Sequence, residues 1–109
     1  MDDPVSLQEL YEVILERHGA SPETSYVARL LAKGEDAILR KVAEEATEVI
    51  LAGKNKDRPA IIHELADLWF HLLVWMSREG ITPEEIEQEL GRRFGRSGLE
   101  EKNARSQAV

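Results

Sequence analysis

The chain contains no cysteine, which removes disulfides, zinc ribbons, iron–sulfur ligation and thiol nucleophiles together. It has no long hydrophobic run either. The longest mostly apolar stretch, Leu65 to Met76, is interrupted by Asp67 and His71, and it is too short and too polar to span a bilayer. The opening Met1-Asp2-Asp3-Pro4 is acidic with no apolar segment behind it, so no export signal is read and the cytoplasm is the expected compartment. No stretch alternates in the strand manner, no hairpin turn pair separates β-branched runs, and no repeat or low-complexity segment is found. A basic face is missing as well: Lys and Arg number 14 against 21 Asp and Glu, a formal net charge of −7. Nucleic-acid binders draw much of their affinity from cationic surfaces, so neither a nucleic-acid partner nor a membrane is expected. If the ligand is itself a phosphate, so acidic a protein must screen the repulsion, and a divalent cation does this most directly.

What is present reads as one folded, all-α domain. Of 109 residues, 42% are hydrophobic and 32% charged, which is neither a disordered nor a membrane composition. A domain of this size buries a modest core and often gains stability by associating. Helix punctuation is clear. Ser6 and Glu9 make a capping box ahead of Leu7, Leu10, Tyr11 and Ile14, with Gly19 as the stop. Ser21-Pro22 reads as a second start, for a short helix carrying Tyr26, Val27, Leu30 and Leu31 and ending near Gly34. A third helix is expected from Glu35-Asp36 to Ala52, with Gly53 as its stop. Asp57 caps a fourth, entered through Pro59 and ended by Gly80. Thr82-Pro83-Glu84-Glu85 opens a fifth, carrying Ile86, Leu90 and Phe94. Residues 1–95 are thus a helical bundle, and the polar residues 96–109 a tail expected to be extended or disordered.

The fourth helix carries the most information. It is apolar on nearly all sides between Leu65 and Met76, the pattern of a helix buried on nearly every face. Yet Glu64, Asp67 and His71 lie at i, i+3 and i+7, along one line. An unpaired carboxylate in apolar surroundings is costly, so a partner is expected opposite. The preceding helix offers one: Glu44, Glu45 and Glu48 share a face, with Lys41 a turn earlier, beside an apolar stripe of Ile38, Val42, Ala46 and Val49. A short loop makes the two helices antiparallel neighbours. Their packing would bring Glu45 and Glu48 towards Glu64 and Asp67, at a cost of roughly 4 kcal/mol per close pair at an effective dielectric near 20. A divalent cation reverses that cost. All-oxygen ligation suits magnesium, manganese or calcium over zinc, and magnesium commonly bridges carboxylates to substrate phosphates. No Glu-x-x-His pair of the di-iron type occurs. His63-Glu64-Leu65-Ala66-Asp67 approaches the zinc-protease helix, but Asp67 stands where the second histidine belongs. The plainer alternatives are a solvated acidic face for Glu44, Glu45 and Glu48, and a buried ion pair for Asp67. His71 reads as a core or supporting histidine. Trp69, Phe70 and Trp75 read as core or dimer-interface residues.

The motifs Glu44-Glu45-x-x-Glu48 and Glu64-x-x-Asp67 resemble the signature of the all-α nucleoside-triphosphate pyrophosphohydrolases, the MazG-like superfamily. Within it, four segments look like the phosphoribosyl-ATP pyrophosphohydrolase family: Ser25-Tyr26, Lys41-Val42-Ala43-Glu44-Glu45-Ala46-x-Glu48, Glu64-Leu65-Ala66-Asp67-Leu68-x-x-His71 and Arg96-Ser97-Gly98-x-x-Glu101-Lys102. The resemblance covers about Leu7 to Arg105. It implies hydrolysis of phosphoribosyl-ATP to phosphoribosyl-AMP and pyrophosphate, a magnesium cofactor and an obligate homodimer. Under it, Glu45, Glu48, Glu64 and Asp67 are the expected magnesium ligands and Glu44 the residue that orients or deprotonates water. Lys41, Arg96 and Lys102 are expected to hold phosphate oxygens, and the tail over 96–109 to fold over the site as a lid. Two other readings stay open at this level. One is a house-cleaning hydrolase of dUTP, dCTP or a damaged nucleotide; the other is a non-catalytic helical dimerisation module, which leaves the clustered carboxylates unexplained.

Overall fold

The computed structural model describes residues 2–95. Among them are five helices and no strand: α1 (Leu7–Arg17), α2 (Tyr26–Lys33), α3 (Glu35–Lys54), α4 (Arg58–Glu79) and α5 (Pro83–Phe94). No helix among the described residues is long and apolar enough to cross a membrane.

The starts of α1, α4 and α5 follow their caps. Ser6 and Glu9 form the reciprocal capping box on α1, and Thr82 and Glu85 form it on α5. The Asp57 carboxylate accepts from the Ala60 amide, with Pro59 in the first turn of α4. Each pair satisfies amides that the first helical turn leaves free. The end of α4 is set by Gly80 at φ +70°, a left-handed conformation that glycine adopts without steric cost.

Two boundaries differ from the sequence reading. Ser21-Pro22 does not begin α2; Thr24 and Ser25 donate their amides to the Ser21 carbonyl in a tight turn. The helix starts at Tyr26, and its cap is Ser25, whose Oγ accepts from the Ala28 amide at 3.2 Å. A proline suits the first helical position, but it equally suits such a turn, and the buried Ser25 hydroxyl decides between them. Gly53 is likewise no stop. α3 continues to Lys54 because the helical hydrogen bonds persist, and Asn55 closes it. The turn between α2 and α3 rests on Gly34 at φ +98°, which a Cβ would strain.

α3 and α4 form a long antiparallel hairpin, the most extensive helix pairing among the described residues; α1 and α2 pack against one end of it, and α5 packs on α1. The core there is Tyr11, Ile14, Val27, Leu30, Ile38, Leu73, Val74 and Met76. Polar ties fix the same end. The Ser77 hydroxyl donates to the Val74 carbonyl at 2.7 Å, so His18 Nε2, 2.8 Å from the Ser77 oxygen, is the donor that joins α1 to α4. Trp75 Nε1 donates to Glu35 at 3.4 Å, and Arg78 lies 3.5 Å from the same carboxylate.

The expectation that α4 is buried on nearly every face holds only for its C-terminal half, where His71, Leu73, Val74, Met76 and Ser77 are buried. Towards the N-terminus Ile62, Leu65 and Trp69 are exposed, at 56%, 39% and 43%, because the short helices cover only the other end. Phe70 and Trp75 are half-buried against the core.

Leu73 is 1% exposed at the centre of this cluster, so truncation leaves a cavity that its neighbours cannot close. Leu73→Ala is expected to cost about 3 kcal/mol, read as a lower urea midpoint at an unchanged slope.

Candidate functional site

The register of the α3–α4 hairpin follows from the Glu35 contacts to Trp75 and Arg78. Counting down an antiparallel pair from there sets Glu45 level with Asp67 and Glu48 level with Glu64. The two acidic motifs therefore face each other across the hairpin groove. The electrostatics agree. The Glu64 carboxyl is raised above the ordinary glutamate range, by partial burial first, and then by repulsion from Glu45, Asp67 and Glu48, against an opposing pull from His63.

The approach is looser than a four-carboxylate contact. The group whose potential ligand atoms all lie within 4.8 Å of one another is His63, Glu64 and Asp67, all on α4. Glu45 and Glu48 face this group without joining it. Lys41 pairs with the α3 side of the groove, its Nζ lying 3.3 Å from both Glu44 and Glu45. Burial loosens the lysine's proton, but the hydrogen bonds to Glu44 and Glu45 outweigh it, so its pKa is raised and the cation persists. The two glutamates differ: the Glu45 side chain is 12% exposed and lies in the groove, whereas Glu44, at 53%, sits at its rim.

His63, which the motif comparison set aside, belongs to the site by position: its Nε2 is 3.3 Å from Asp67 Oδ2. It is mostly exposed, and its i, i+4 spacing to Asp67 is the signal that could have placed it beside the carboxylates. His71 is buried, as read from the sequence. Its Nδ1 lies 2.8 Å from the Asp67 carbonyl, which can only accept, so Nδ1 donates and Nε2 takes the Tyr26 hydroxyl at 2.9 Å. Phe70 packs edge-on against the imidazole, ring centroids 5.1 Å apart. The backbone of Asp67 is thereby tied to the first residue of α2.

Beside Tyr26 lies a cleft of about 220 Å³ between α2 and α3, lined by Arg29, Lys33, Arg40 and Lys41 over the aliphatic Leu30 and Ala37. Of its cations, the sequence reading singled out Lys41 alone. Arg29 and Lys33, four residues apart on α2, were legible as one face, but the residues opposite them on α3 depend on packing. Arg96, Lys102 and the tail over 96–109 lie outside the described residues.

Whether this groove fits a divalent cation turns on its donors. Four carboxylates from two helices face one another, and the mutual repulsion registered at Glu64 is what a bound cation would neutralise. An oxygen-dominated set of this kind suits a hard cation such as magnesium, with water completing the shell. The residues fit.

Fold and site together define an all-α bundle with opposed acidic motifs on an antiparallel helix pair. A match to the family described as phosphoribosyl-ATP pyrophosphohydrolase spans residues 7–94. Similar proteins include the phosphoribosyl-ATP pyrophosphatases of Methylibium petroleiphilum, 56% identical over 88% of this chain and 80% of the relative, and of Geobacter metallireducens, 57% identical over 91% of each. That of Geotalea daltonii is 54% identical over 96% of this chain and 98% of its own length. The chain belongs to the phosphoribosyl-ATP pyrophosphohydrolase family.

The raised pKa of Glu64 has a directional consequence. With the folded value above the unfolded one, ionising Glu64 costs stability as pH rises through the folded value. In chelator, Glu64→Gln should therefore raise the melting temperature at pH 7, and the gain should fade as pH drops below the ordinary glutamate range and the wild-type carboxyl takes up its proton. A variant no more stable than wild type at pH 7 would show that Glu64 is not repelled. In the wild type, magnesium affinity should begin to fall with decreasing pH above the range of an ordinary glutamate.

Proposed function

We propose that this protein hydrolyses phosphoribosyl-ATP to phosphoribosyl-AMP and pyrophosphate, a step of histidine biosynthesis, with magnesium held by Glu45, Glu48, Glu64 and Asp67. The observation that carries the reading is the opposed pair of acidic motifs on α3 and α4, in a chain whose relatives over nearly their whole length are named for this activity.

The chemistry suits the residues. Water adds to phosphorus at the α–β anhydride, the P–O bond to the leaving group breaks, and pyrophosphate departs with the electron pair. Bound magnesium would supply neutralisation of the leaving pyrophosphate's charge. The chain's own groups supply the rest. Glu44, at the groove rim and paired with Lys41, is the residue this reading gives the task of orienting the attacking water and taking its proton. Lys41 offers a cation beside Glu45 for a phosphate oxygen once substrate competes for it. The Asp67–His71–Tyr26 hydrogen bonds hold the α4 carboxylates in register with α2. Arg96 and Lys102, which lie outside the described residues, are the further cations this reading assigns to phosphate oxygens.

We further infer a homodimer in the cytoplasm. Ile62, Leu65 and Trp69 form an exposed apolar line along α4, and Ile86, Leu90 and Phe94 another on α5. Apolar surface of that extent ordinarily finds a partner, and a second copy would complete the cover that α1, α2 and α5 provide only at the opposite end. Nucleic acid is no partner on grounds of charge.

The test is pyrophosphate release from phosphoribosyl-ATP beside dUTP, dCTP and ATP, with magnesium and with chelator. Magnesium-dependent release from phosphoribosyl-ATP is expected, with the other nucleotides far behind. Release mainly from a deoxynucleotide would move the protein to the house-cleaning branch. Glu45→Gln and Asp67→Asn should each lower turnover by about a hundredfold or more, and should abolish the rise in melting temperature that magnesium gives the wild type. Full magnesium-dependent turnover in both variants would refute the ligand assignment.

A further inference from the structure

We propose that the cleft between α2 and α3 seats the second phosphate of the substrate, the monoester on its phosphoribosyl group, and thereby separates phosphoribosyl-ATP from ATP; this rests on the activity proposed above. Four of the chain's fourteen Lys and Arg residues line this one cleft, and no carboxylate lines it. Among the described residues Arg29, Lys33 and Arg40 form no ion pair, although acidic residues outnumber basic ones. Like charges gathered this way repel one another, and a bound dianion removes that repulsion. Arginine guanidinium groups also match the oxygens of a phosphate two at a time.

Size and position decide which phosphate. At about 220 Å³ the cleft is smaller than the roughly 300–1,000 Å³ that a whole drug-sized ligand occupies, so it takes one end of the substrate. Of the cleft's α3 residues, Lys41, Arg40 and Ala37 lie about 6, 8 and 12 Å along the helix from Glu45, at the rise of about 1.5 Å per residue. A cation held at the Glu45 and Glu48 carboxylates would neutralise the departing β- and γ-phosphates. Arg40 and Ala37 lie beyond Lys41 from those carboxylates, and the phosphoribosyl monoester, carried at the far end of the nucleoside, is the phosphate suited to that stretch. Tyr26 links the two places: it lines the cleft, its hydroxyl is bonded to His71, and His71 is bonded to Asp67. ATP has no group for this cleft and leaves its cations unanswered, which is how a site built for a polar group rejects an analogue that lacks it.

Lys33→Gln and Arg40→Gln change exposed helix-surface side chains, so both variants should melt as the wild type does. Their kcat and KM are to be measured on phosphoribosyl-ATP and on the same compound without the monoester phosphate. On the full substrate each variant should lose about tenfold in kcat/KM, mainly through KM, as expected for one charge-assisted contact. On the dephosphorylated compound that loss should disappear, since the group the side chain binds is already gone. Arg40→Lys should recover part of the loss. Equal losses on both compounds would place the cleft at the triphosphate and overturn the proposal, and so would no loss on either. Failure of the wild type to release pyrophosphate from phosphoribosyl-ATP at all would instead bring down the parent activity, and this proposal with it.

Discussion

The antiparallel contact of α3 with α4 is the constraint from which the rest follows. Apolar residues on both helices drive it, and the Glu35 contacts to Trp75 and Arg78 hold its register. That register brings two acidic motifs to the same level of one groove. Burial at the packed end holds the two helices together although the carboxylates at the other end repel. The raised pKa of Glu64 records this opposition.

Stability and chemistry occupy different halves of the hairpin. The buried residues of α4 run from His71 to Ser77, under α1, α2 and the start of α3. The clustered His63, Glu64 and Asp67 precede them. His71 stands at the boundary, with its ring in the core and its Nδ1 on the Asp67 carbonyl. Movement of substrate or cation at the groove therefore need not disturb the core, while the core still fixes the direction in which α4 presents its carboxylates.

Charge is segregated with equal clarity. An acidic groove and a basic cleft lie next to each other along α3, joined at Lys41 and Tyr26. Lys41 is shared, since it lines the cleft and pairs with Glu44 and Glu45. Phosphoribosyl-ATP carries phosphate at both ends, and the proposed reading gives each end surroundings suited to it: metal-bridged carboxylates at the triphosphate, bare cations at the monoester. A protein of net charge −7 can bind a polyanion on these terms because the attraction is local.

Local chemistry made much of this legible without coordinates. Capping boxes at Ser6 and Thr82, the cap at Asp57 and the stop at Gly80 depend on interactions within a few residues, and all four stand in the structure. The approach of Glu45 and Glu48 to Glu64 was also readable, because a short loop and two apolar stripes favour antiparallel packing. The start of α2 was misread, because Pro22 suits a turn as well as a helix and only the burial of Ser25 decides the matter. Three things belonged to tertiary structure alone. The exposure of Ile62, Leu65 and Trp69 depends on where the short helices end, which no periodicity within α4 reveals. The pull of Lys41 on Glu45 depends on side-chain distances, and so does the tie from Asp67 through His71 to Tyr26. The basic cleft needs Arg29 and Lys33 of α2 set against Arg40 of α3, a meeting of helix faces that the sequence lists separately and packing alone brings together.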